Sequence, residues 1–392
     1  MNFKFLILRC CFIKIVQKIH QRVSYLFSSD LLVFLPSFLY LNMDTYIVEI
    51  NENEIDEESI KRGGEILKKG GLVAFPTETV YGLGGDALNK ESSKKIYAAK
   101  GRPSDNPLIV HISNMEALEK IVKSVPKEAV LLANRFWPGP LTMIFEKSDL
   151  VPTETTGGLN TVAVRMPSNK IARALIDAAG GYIAAPSANI SGRPSPTVAK
   201  YVIEDMQGRI DMIIDGGESN VGLESTIVDF SEGRAMILRP GYVTQQMLEE
   251  TLKEEVLWDR AIIDSDCKTA PKAPGMKYRH YAPKGELIIV EGAKDAVVNK
   301  INELSIKAKE QGFKVGVIST EENLSLYKAD VVKSVGRKGH DEEVAHHLFR
   351  ILREFDEENT GKMFSESFEE SGVGAAVMNR LLKAAGHQII KA

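Results

Sequence analysis

The sequence of 392 residues contains little cysteine: Cys10 and Cys11 are adjacent, and Cys267 is the third. So few thiols exclude a disulfide framework and a zinc site built from cysteine, and they are typical of a reducing compartment. The sequence also lacks any run of about 18 uncharged apolar residues, so we expect a cytoplasmic protein without stable membrane insertion. The formal net charge is only −4, which excludes a molecule that is basic overall and clamps nucleic acid.

Several catalytic motifs are missing as well. The sequence has no glycine-rich phosphate loop that ends in Lys and Ser or Thr, no Gly-x-Ser-x-Gly elbow and no His-Glu-x-x-His zinc motif. No nucleophile paired with a base is therefore visible. The cations, hydroxyls and glycine loops that remain favour a site that positions a polyanion. Phosphoryl or nucleotidyl transfer depends mainly on such positioning and on charge neutralisation.

Residues 1–42 differ in composition from the rest of the chain. They hold five basic residues and one acidic residue, a charge of +4, which leaves −8 for the remainder. Three interpretations stay open: an over-long start before Met43, an organelle transit peptide, and a helix that lies on a membrane surface. We favour the first, because Met43 opens a sequence typical of globular proteins.

Helix-like and strand-like stretches alternate after Met43. Short apolar runs that end at turn residues predict strands, and apolar residues at helical spacing predict helices. The predicted strands are 72–75, 108–112, 141–145, 161–164, 182–184, 211–214, 225–229 and 235–238, and the predicted helices are 57–69, 91–99, 127–135, 170–178 and 198–206. This mixture predicts an α/β domain over residues 53–242, a twisted mixed sheet with helices packed on it.

Regular periodicity fades over residues 243–284. This segment contains KAPGMKYRHYAP (272–283), whose aromatic and basic residues suit a segment that lies against something rather than a free linker. Residues 285–392 predict a second, smaller α/β domain. Its predicted strands are 286–291 and 314–319, and its predicted helices are 295–311, a stretch around 344–355, and 374–385.

Polar residues gather in loops that follow the short strands. The first loop carries Thr77 and runs into glycines at 82, 84 and 85, which predict a turn. Lys100 and Arg102 lie two residues apart at a helix end. Because two such cations repel, either an anion joins them or they interact with the helix C-terminus. His111 closes an apolar strand, where a hydrogen-bonded core histidine is the default interpretation.

Further candidates lie farther along the chain. Arg165 alternates with valines on a predicted strand; facing inward it needs an anion such as a substrate carboxylate, and an exposed face is the alternative. Ser187 and Asn189 directly follow another strand. Ser195 precedes a predicted helix N-terminus, a ready anion site. Another glycine loop carries Ser225, and an isolated arginine follows it at Arg239.

Four motifs in this order resemble those of the YrdC-like threonylcarbamoyl-AMP synthases. They are PTETVYGLG (76–84), KGR (100–102), PSAN (186–189) and PGMKYRHYAP (274–283). The second domain and the run GVGAAVMNR (372–380) are similar to the long, two-domain form of that family. The resemblance covers residues 43–392. It implies a YrdC-like first domain with a large cationic cavity, a linker loop that closes over the site, and a small Rossmann-like second domain.

The resemblance also implies an activity. The family condenses L-threonine, bicarbonate and ATP, with Mg²⁺, into threonylcarbamoyl-AMP and pyrophosphate. The product serves the N6-threonylcarbamoyl modification of adenosine in tRNA. A separate tRNA threonylcarbamoyl transferase complex completes that modification, so any contact of this chain with tRNA is indirect.

Site residues follow from the same resemblance. It implies that Lys100, Arg102, Ser187 and Asn189 carry catalysis and hold the nucleotide. The nucleotide is also expected to contact Asn106, Thr161, Ser195, Arg239, Tyr278 and His280. Threonine is expected at Thr77, His111, Arg165 and Ser225. No residue is assigned to a metal.

Two other functional classes remain open from the sequence. A module that binds double-stranded RNA or tRNA without catalysis would show a steep salt dependence and no need for threonine. A carbamoyl-transferring or nucleotide-hydrolysing enzyme with a related site would release pyrophosphate or phosphate without threonine.

Overall fold

The structure, a computed structural model, describes residues 44–263, 273 and 280–392. Met43–Ala392 forms one compact unit. The predicted extension 1–42 lies outside the described residues. Within the described ranges, no helix has the length and apolar character needed to cross a membrane.

Eleven strands form the first sheet. In chain order they are β1 (Tyr46–Glu49), β2 (Val73–Phe75), β3 (Gly82–Asp86), β4 (Ile109–His111), β5 (Leu141–Glu146), β6 (Thr161–Arg165), β7 (Ile183–Ala184), β8 (Met212–Asp215), β9 (Thr226–Asp229), β10 (Met236–Arg239) and β11 (Leu257–Trp258). Across the sheet the order is β1-β8-β2-β3-β7-β4-β6-β5-β9-β10-β11. Parallel pairs such as β4–β6 and antiparallel pairs such as β5–β6 both occur. The predicted mixed α/β sheet is confirmed.

Helices connect these strands. They are α1 (Glu57–Lys68), α2 (Lys90–Lys100), α3 (Met115–Ile121), α4 (Lys127–Phe136), α5 (Lys170–Ala178), α6 (Ala199–Met206), α7 (Gln245–Leu252) and α8 (Arg260–Ile263). The carboxylate of Asp56 accepts hydrogen bonds from two amides of the first turn of α1, which fixes its start. Gly101, at φ 62°, ends α2 in a left-handed conformation. The predicted bounds of both helices are correct within one residue at each end.

The glycines at 82, 84 and 85 form strand β3, so the predicted turn is wrong. β3 pairs antiparallel with β2 and with β7. A Cβ atom at Gly84 would lie 2.8 Å from Cγ2 of Ile183 and 2.9 Å from the ring of Phe75. Both neighbours are fully buried, so only glycine leaves room for them. Glycine is uncommon inside strands, which is why its pattern predicts a turn instead.

The first sheet extends beyond the predicted range 53–242. β1 precedes that range, and β11 joins the far edge by pairing parallel with β10. Helix α7 lies in the segment whose periodicity fades. Its one fully buried residue is Leu248, too few for an apolar stripe to be recognised.

The second domain is a parallel α/β sheet. Its strands are β12 (Glu286–Glu291), β13 (Val315–Ser319), β14 (Val331–Ser334), β15 (Lys362–Glu366) and β16 (Ile389–Lys391), and its helices are α9 (Lys294–Glu310), α10 (Asp341–Glu357) and α11 (Gly372–Ala384). The strand order is β14-β13-β15-β12-β16, and all four pairings are parallel. β15 lies between β12 and β13, whereas dinucleotide-binding folds place the first strand beside the second.

The two domains share a buried boundary. Val80 and Leu223 of the first domain belong to the same apolar cluster as residues of α10 and α11. At Gly222, a Cβ atom would lie 2.4 Å from the Cα of His346 on α10. The backbones of the two domains therefore lie in direct contact at this position, and only glycine leaves room there.

Candidate active site

One cavity gathers most of the predicted site residues. It lies where several strands of the first sheet end, because His111 closes β4, Arg165 closes β6 and Arg239 closes β10. His111 and Arg165 are direct neighbours in the parallel pairing of β4 with β6. Eleven of the fourteen predicted residues line this cavity: Thr77, Lys100, Arg102, His111, Arg165, Ser187, Asn189, Ser195, Ser225, Arg239 and His280.

The cavity wall is strongly cationic. Five lining residues carry a lysine or arginine side chain: Lys100, Arg102, Arg165, Arg193 and Arg239. Glu224 is the one carboxylate among the described lining residues. A cavity with this balance suits an anionic ligand, although the chain as a whole is acidic. The expected cationic cavity is thus present.

Lys100 is the last residue of α2 and is 1% exposed. Its Nζ donates hydrogen bonds to the carbonyl oxygens of Ser187 and Asn189, both at 2.5 Å. Burial, followed by the charge of Arg102, lowers the pKa of Lys100 well below its ordinary value. The two hydrogen bonds show that Nζ bonds the PSAN loop rather than the end of its own helix. The interpretation as a helix C-terminal cation does not describe Lys100.

Arg102 follows the left-handed Gly101 and points along the next loop. Its Nε donates to the carbonyl of Asn106 at 3.2 Å, and its Nη2 donates to that of Pro107 at 3.1 Å. These two bonds hold the guanidinium beside the cavity, two residues from Lys100. The pair of cations thus lies at the cavity wall, where an anion would be favourable.

The PSAN loop is folded by its own side chains. The hydroxyl of Ser187 donates to Oδ1 of Asn189 at 2.5 Å. Nδ2 of Asn189 donates to the carbonyls of Ile190 and Arg193 at 2.8 Å and 2.9 Å. Asn189 thereby ties this loop to residues 190–194, another stretch of the cavity wall.

Arg165 faces inward and is buried. Nη1 donates to the hydroxyl of Thr79 at 2.8 Å. Nη2 lies 2.8 Å from Oε1 of Glu78, but without the angles of a hydrogen bond. Within the described ranges, Nε and Nη2 of Arg165 and both carboxylate oxygens of Glu78 lack a hydrogen-bond partner. The predicted need for an anion is partly met by Glu78, and two donors of the guanidinium remain available to a ligand.

His111 is buried beside Arg165. Its Nδ1 lies 3.2 Å from the carbonyl of Ile109, and its ring packs edge-on against Phe75. Burial, followed by the charge of Arg165, lowers the pKa of His111 to about 3. The imidazole is therefore neutral near pH 7, both a packed core histidine and a member of the cavity lining.

Ser225 and Arg239 form a second polar cluster. The hydroxyl of Ser225 shares a 2.7 Å hydrogen bond with that of Thr142, and Nη2 of Arg239 donates to it at 3.1 Å. Nε of Arg239 also donates to the carbonyl of Ser225 at 3.0 Å. Burial lowers the pKa of Arg239 to about 10, so the guanidinium stays charged near neutral pH.

Ser195 is held by a carboxylate. Its hydroxyl donates to Oε1 of Glu224 at 2.6 Å. Oε2 of Glu224 accepts from Nε of Arg380 at 2.9 Å, and Arg380 lies on α11 of the second domain. This ion pair therefore connects the second domain to the cavity wall.

His280 enters the cavity from the segment between the domains. Burial, followed by the charges of Arg102 and Lys383, lowers its pKa to about 3. The next residue, Tyr281, stacks on Phe349 with ring centroids 5.0 Å apart. The amide of Ala282 donates to the carbonyl of Gly192 at 2.8 Å, which fixes this segment against the wall. Tyr278 lies outside the described residues.

Two predicted residues lie elsewhere. Asn106 is buried beneath the Lys100–Arg102 loop, where its carbonyl accepts from Arg102. Thr161 begins β6, opposite Glu146, at the end of the strand remote from Arg165. The described cavity lining includes neither residue.

Sequence reasoning missed three important partners. Glu78 and Thr79 hold Arg165, and Glu224 holds Ser195. Glu78 and Thr79 lie inside the PTETVYGLG motif, so the motif itself was a usable signal. Glu224 carries no comparable sequence signal, because its partner Arg380 lies 156 residues away.

Comparison with known proteins gives a consistent result. Residues 65–241 match the Sua5–YciO–YrdC family model, described as "Telomere recombination". Residues 243–386 match the model described as "Threonylcarbamoyl-AMP synthase, C-terminal domain". The threonylcarbamoyl-AMP synthase of Pyrococcus abyssi is 50% identical over 347 residues, 88% of this chain and 99% of that protein. That of Bacillus subtilis is 46% identical over 342 residues, 87% of this chain and 97% of that protein.

A solved structure agrees with these sequence matches. The crystal structure of P. abyssi Sua5 complexed with L-threonine matches with a TM-score of 0.84 at 50% identity, over 89% of this chain and 100% of that chain. The resemblance inferred from the motifs is confirmed. Because both domains match in order and the relatives are covered almost completely, this chain belongs to the threonylcarbamoyl-AMP synthase family, in its two-domain Sua5 form.

Proposed function

We propose that this chain condenses L-threonine, bicarbonate and ATP into threonylcarbamoyl-AMP and pyrophosphate. The observation that carries the proposal is the convergence of two sets of polar groups on one buried cationic cavity. Lys100, Arg102, Ser187 and Asn189 form one set, and Arg165 and Ser225 belong to the other. A cavity with two such sets can hold a polyphosphate and an amino acid together.

Arg165 is suited to the threonine carboxylate. Its Nε and Nη2 lack hydrogen-bond partners within the described ranges, and a guanidinium binds a carboxylate through two such donors. The side chains of Thr77, Ser225 and the neutral His111 line the same cavity and shape its amino-acid end. The hydroxyl of Thr77 already donates to the carbonyl of Val80 at 2.6 Å, and that of Ser225 accepts from Arg239, so both are held in place. A neutral His111 adds no positive charge that would repel the threonine ammonium group.

Lys100 and Arg102 are suited to the ATP phosphates. In the proposed reaction, the deprotonated threonine nitrogen first bonds to the carbon of bicarbonate, whose C–OH bond breaks to release water, or to that of CO₂ with release of a proton; either way a carbamate forms. A carbamate oxygen then attacks the α-phosphorus, and the bond to the bridging oxygen breaks to release pyrophosphate. Negative charge grows on the departing phosphates, where fixed cations are most effective. Ser187, Asn189, Ser195 and Arg239 would hold the rest of the nucleotide.

Mg²⁺ is proposed to arrive with ATP. Within the described ranges, no group of three or more His, Cys, Asp and Glu residues could hold a metal by itself. Glu224, the carboxylate in the described lining, is already engaged by Ser195 and Arg380. These residues fit a metal bound chiefly by the substrate's phosphates, as Mg²⁺ usually is. When bound, Mg²⁺ would neutralise phosphate charge.

The product defines the expected partner. A threonylcarbamoyl adenylate is an activated acyl donor, so the proposal requires a separate transferase that passes the group to an adenosine of tRNA. This chain would then meet tRNA only indirectly.

The test is pyrophosphate release from ATP by the full chain, with threonine and bicarbonate each present or omitted. Release should require both substrates. Lys100→Ala should reduce threonine-dependent release by about 10²-fold, the usual effect of losing one donor that stabilises charge in the transition state. Release without threonine would indicate a hydrolase, and salt-sensitive RNA binding without release would indicate a binding module.

Lys95→Ala is the matched control for Lys100→Ala. Lys95 lies on the same helix and also donates to a backbone carbonyl, that of Gly70 at 2.6 Å, but it does not line the cavity. Its removal should leave the rate nearly unchanged. An equal loss in both variants would show that the effect comes from α2 and not from the ammonium group of Lys100.

A further inference from the structure

The second domain contributes two fully buried arginines to its boundary with the first domain. Arg353 on α10 is 1% exposed and Arg380 on α11 is 0% exposed, and both rank among the largest fully buried side chains of the described chain. A buried guanidinium is costly unless its donors are paired. Both arginines find their partners in the first domain, at two stretches of the cavity wall.

Arg380 supports the wall at Glu224. Its Nε donates to Oε2 of Glu224 at 2.9 Å, and its Nη1 donates to the carbonyl of Pro240 at 2.8 Å. Glu224 in turn accepts from Ser195. Burial raises the pKa of Glu224, but the charges of Arg380 and Arg239 outweigh it, so the pKa lies below its ordinary value. Glu224 therefore stays ionised between two arginines.

Arg353 supports the wall at residues 190–194. Its Nη1 and Nη2 donate to the two carboxylate oxygens of Asp205 at 3.1 Å and 2.6 Å. Its Nε and Nη2 also donate to the carbonyl of Pro194 at 3.0 Å and 2.7 Å. Asp205 accepts from the amide of Ile190 and from Arg193 as well. Both ends of this stretch are thus held from the second domain.

Each arginine connects through its partner to a residue predicted to bind the nucleotide: Arg380 to Ser195, and Arg353 to Asn189. The 190–194 stretch accepts hydrogen bonds from Nδ2 of Asn189 and supplies three lining residues, Ser191, Gly192 and Arg193. Without Arg380, the buried Glu224 would lose its ion-pair partner, and Arg239 would become the charge that acts on it most strongly. Glu224 would then compete with an anionic ligand for Arg239, because both are anions in the same low-dielectric site.

We propose that Arg380 and Arg353 are positioning residues for the nucleotide half of the cavity. Arg380 acts through Glu224 and Ser195, and Arg353 acts through Asp205 and the 190–194 stretch. The second domain is then a structural part of the active site, although neither arginine lines the described cavity. This inference rests on the proposed function, since it assigns the nucleotide to that half.

The test compares steady-state kinetics of Arg380→Met and Arg353→Met in the full chain, with unfolding midpoints measured alongside. Each variant should raise the KM for ATP about tenfold, the expected effect of one lost charge-assisted hydrogen bond. The KM for threonine should stay within about twofold in Arg353→Met. In Arg380→Met it should rise less than the KM for ATP, because Ser225 is the threonine-site residue that bonds Arg239. A merely structural role would lower the amount of active enzyme, and hence the apparent kcat, at an unchanged KM.

Arg350→Met is the matched control. Arg350 also lies on α10 and also pairs across the boundary, with Glu218 at 2.9 Å, but both side chains are about one-third exposed and Glu218 does not line the cavity. Its KM values should stay within about twofold of the parent values, as expected for a partly exposed ion pair.

Arg380→Lys and Arg353→Lys keep the charge and serve if the Met variants do not fold. Lysine lacks the fork that bonds two acceptors at once, so the KM for ATP should rise about threefold, between the parent and Met values. A parent-like KM for ATP in folded Met or Lys variants would overturn the proposal. If the parent chain itself releases no pyrophosphate, the proposed function fails, and ATP affinities of the same variants by calorimetry still decide the positioning role.

Discussion

At the scale of single residues, Arg165 is the group whose role the geometry defines most narrowly. Nη1 bonds Thr79, Nη2 lies 2.8 Å from a carboxylate oxygen of Glu78, and neither Nη2 nor Nε has a hydrogen-bond partner within the described ranges. Glu78 balances the charge of the guanidinium without using its donors. Arg165 is thus stable in the absence of ligand and still able to bind a carboxylate.

Arg165→Lys should therefore weaken threonine binding selectively. Lysine keeps the positive charge but cannot offer two parallel donors to a carboxylate. The KM for threonine should rise about tenfold or more, while the KM for ATP should change little. Arg62→Lys is the control, because Arg62 packs over the ring of Tyr46 at the far edge of the sheet. An unchanged threonine KM in Arg165→Lys would remove Arg165 from the amino-acid site.

His111 gives a prediction about pH. Burial and Arg165 hold its folded-state pKa at about 3, below the ordinary value of 6.5. Between these two values the unfolded chain binds a proton that the folded chain does not, so stability falls as the pH drops from about 6.5 toward 3. His111→Gln should reduce this slope. Urea unfolding of both proteins across that pH range checks it, and parallel curves would contradict it.

At the scale of elements, short buried strands position the cavity residues. Their sequences differ in how clearly they predict a strand. β4 and β6 are apolar runs that end in one polar residue, so their positions follow from the pattern. The pattern leaves an inward and an exposed Arg165 as alternatives. β3 is a strand because it pairs with β2 and β7, and its glycines leave room for the side chains packed against it. Both causes are tertiary, so no local pattern contains them. Helix α7 buries one residue, which leaves no stripe to detect.

The candidate site also contains some residues that the sequence predicts and others that only the tertiary structure reveals. Its loop residues could be predicted, because hydroxyls and cations that follow strands stand out within the sequence. The ionic partners could not, because Glu224 and Arg380, or Asp205 and Arg353, meet only after the two domains pack. Pairing over about 150 residues depends on the tertiary structure, and a single sequence holds no record of it.

Gly84→Ala tests the packing of β3. Its new methyl group would lie within 3 Å of Ile183 and Phe75, so the variant should lose about 1–3 kcal/mol of unfolding free energy through overpacking. Gly208→Ala is the comparison, because Gly208 has φ 80° and no heavy atom within 4 Å of its Cβ position. It should lose about 1 kcal/mol or less, through backbone strain alone. Equal losses by urea unfolding would remove packing as the reason for glycine in β3.

At the scale of the whole molecule, buried ion pairs connect the two domains. Asp205 and Glu224 are buried acids of the first domain, and each has a fully buried arginine of the second domain as a partner. Separation of the domains would break both ion pairs and leave Arg353 and Arg380 without their carboxylate partners, which is unfavourable. The boundary also buries Val80 and Leu223 in the second domain's apolar cluster.

Thermal unfolding of the full chain should accordingly show one cooperative transition for both domains. Calorimetry is the measurement, with the calorimetric and van't Hoff enthalpies expected to agree. Arg353→Met should lower the transition temperature of both domains together. Two well-separated transitions in the parent protein, with the second domain melting first and threonine still bound, would contradict this coupling.

The most direct test of the central claim follows the carbon atom of bicarbonate. The full chain is incubated with ATP, L-threonine and ¹³C-labelled bicarbonate. The nucleotide products are then separated, and their masses are measured by mass spectrometry. The proposed reaction predicts a threonylcarbamoyl-AMP that carries the label, formed in step with pyrophosphate. Pyrophosphate that appears with AMP and without a labelled adduct, at every time point, would contradict the synthase function of this cavity.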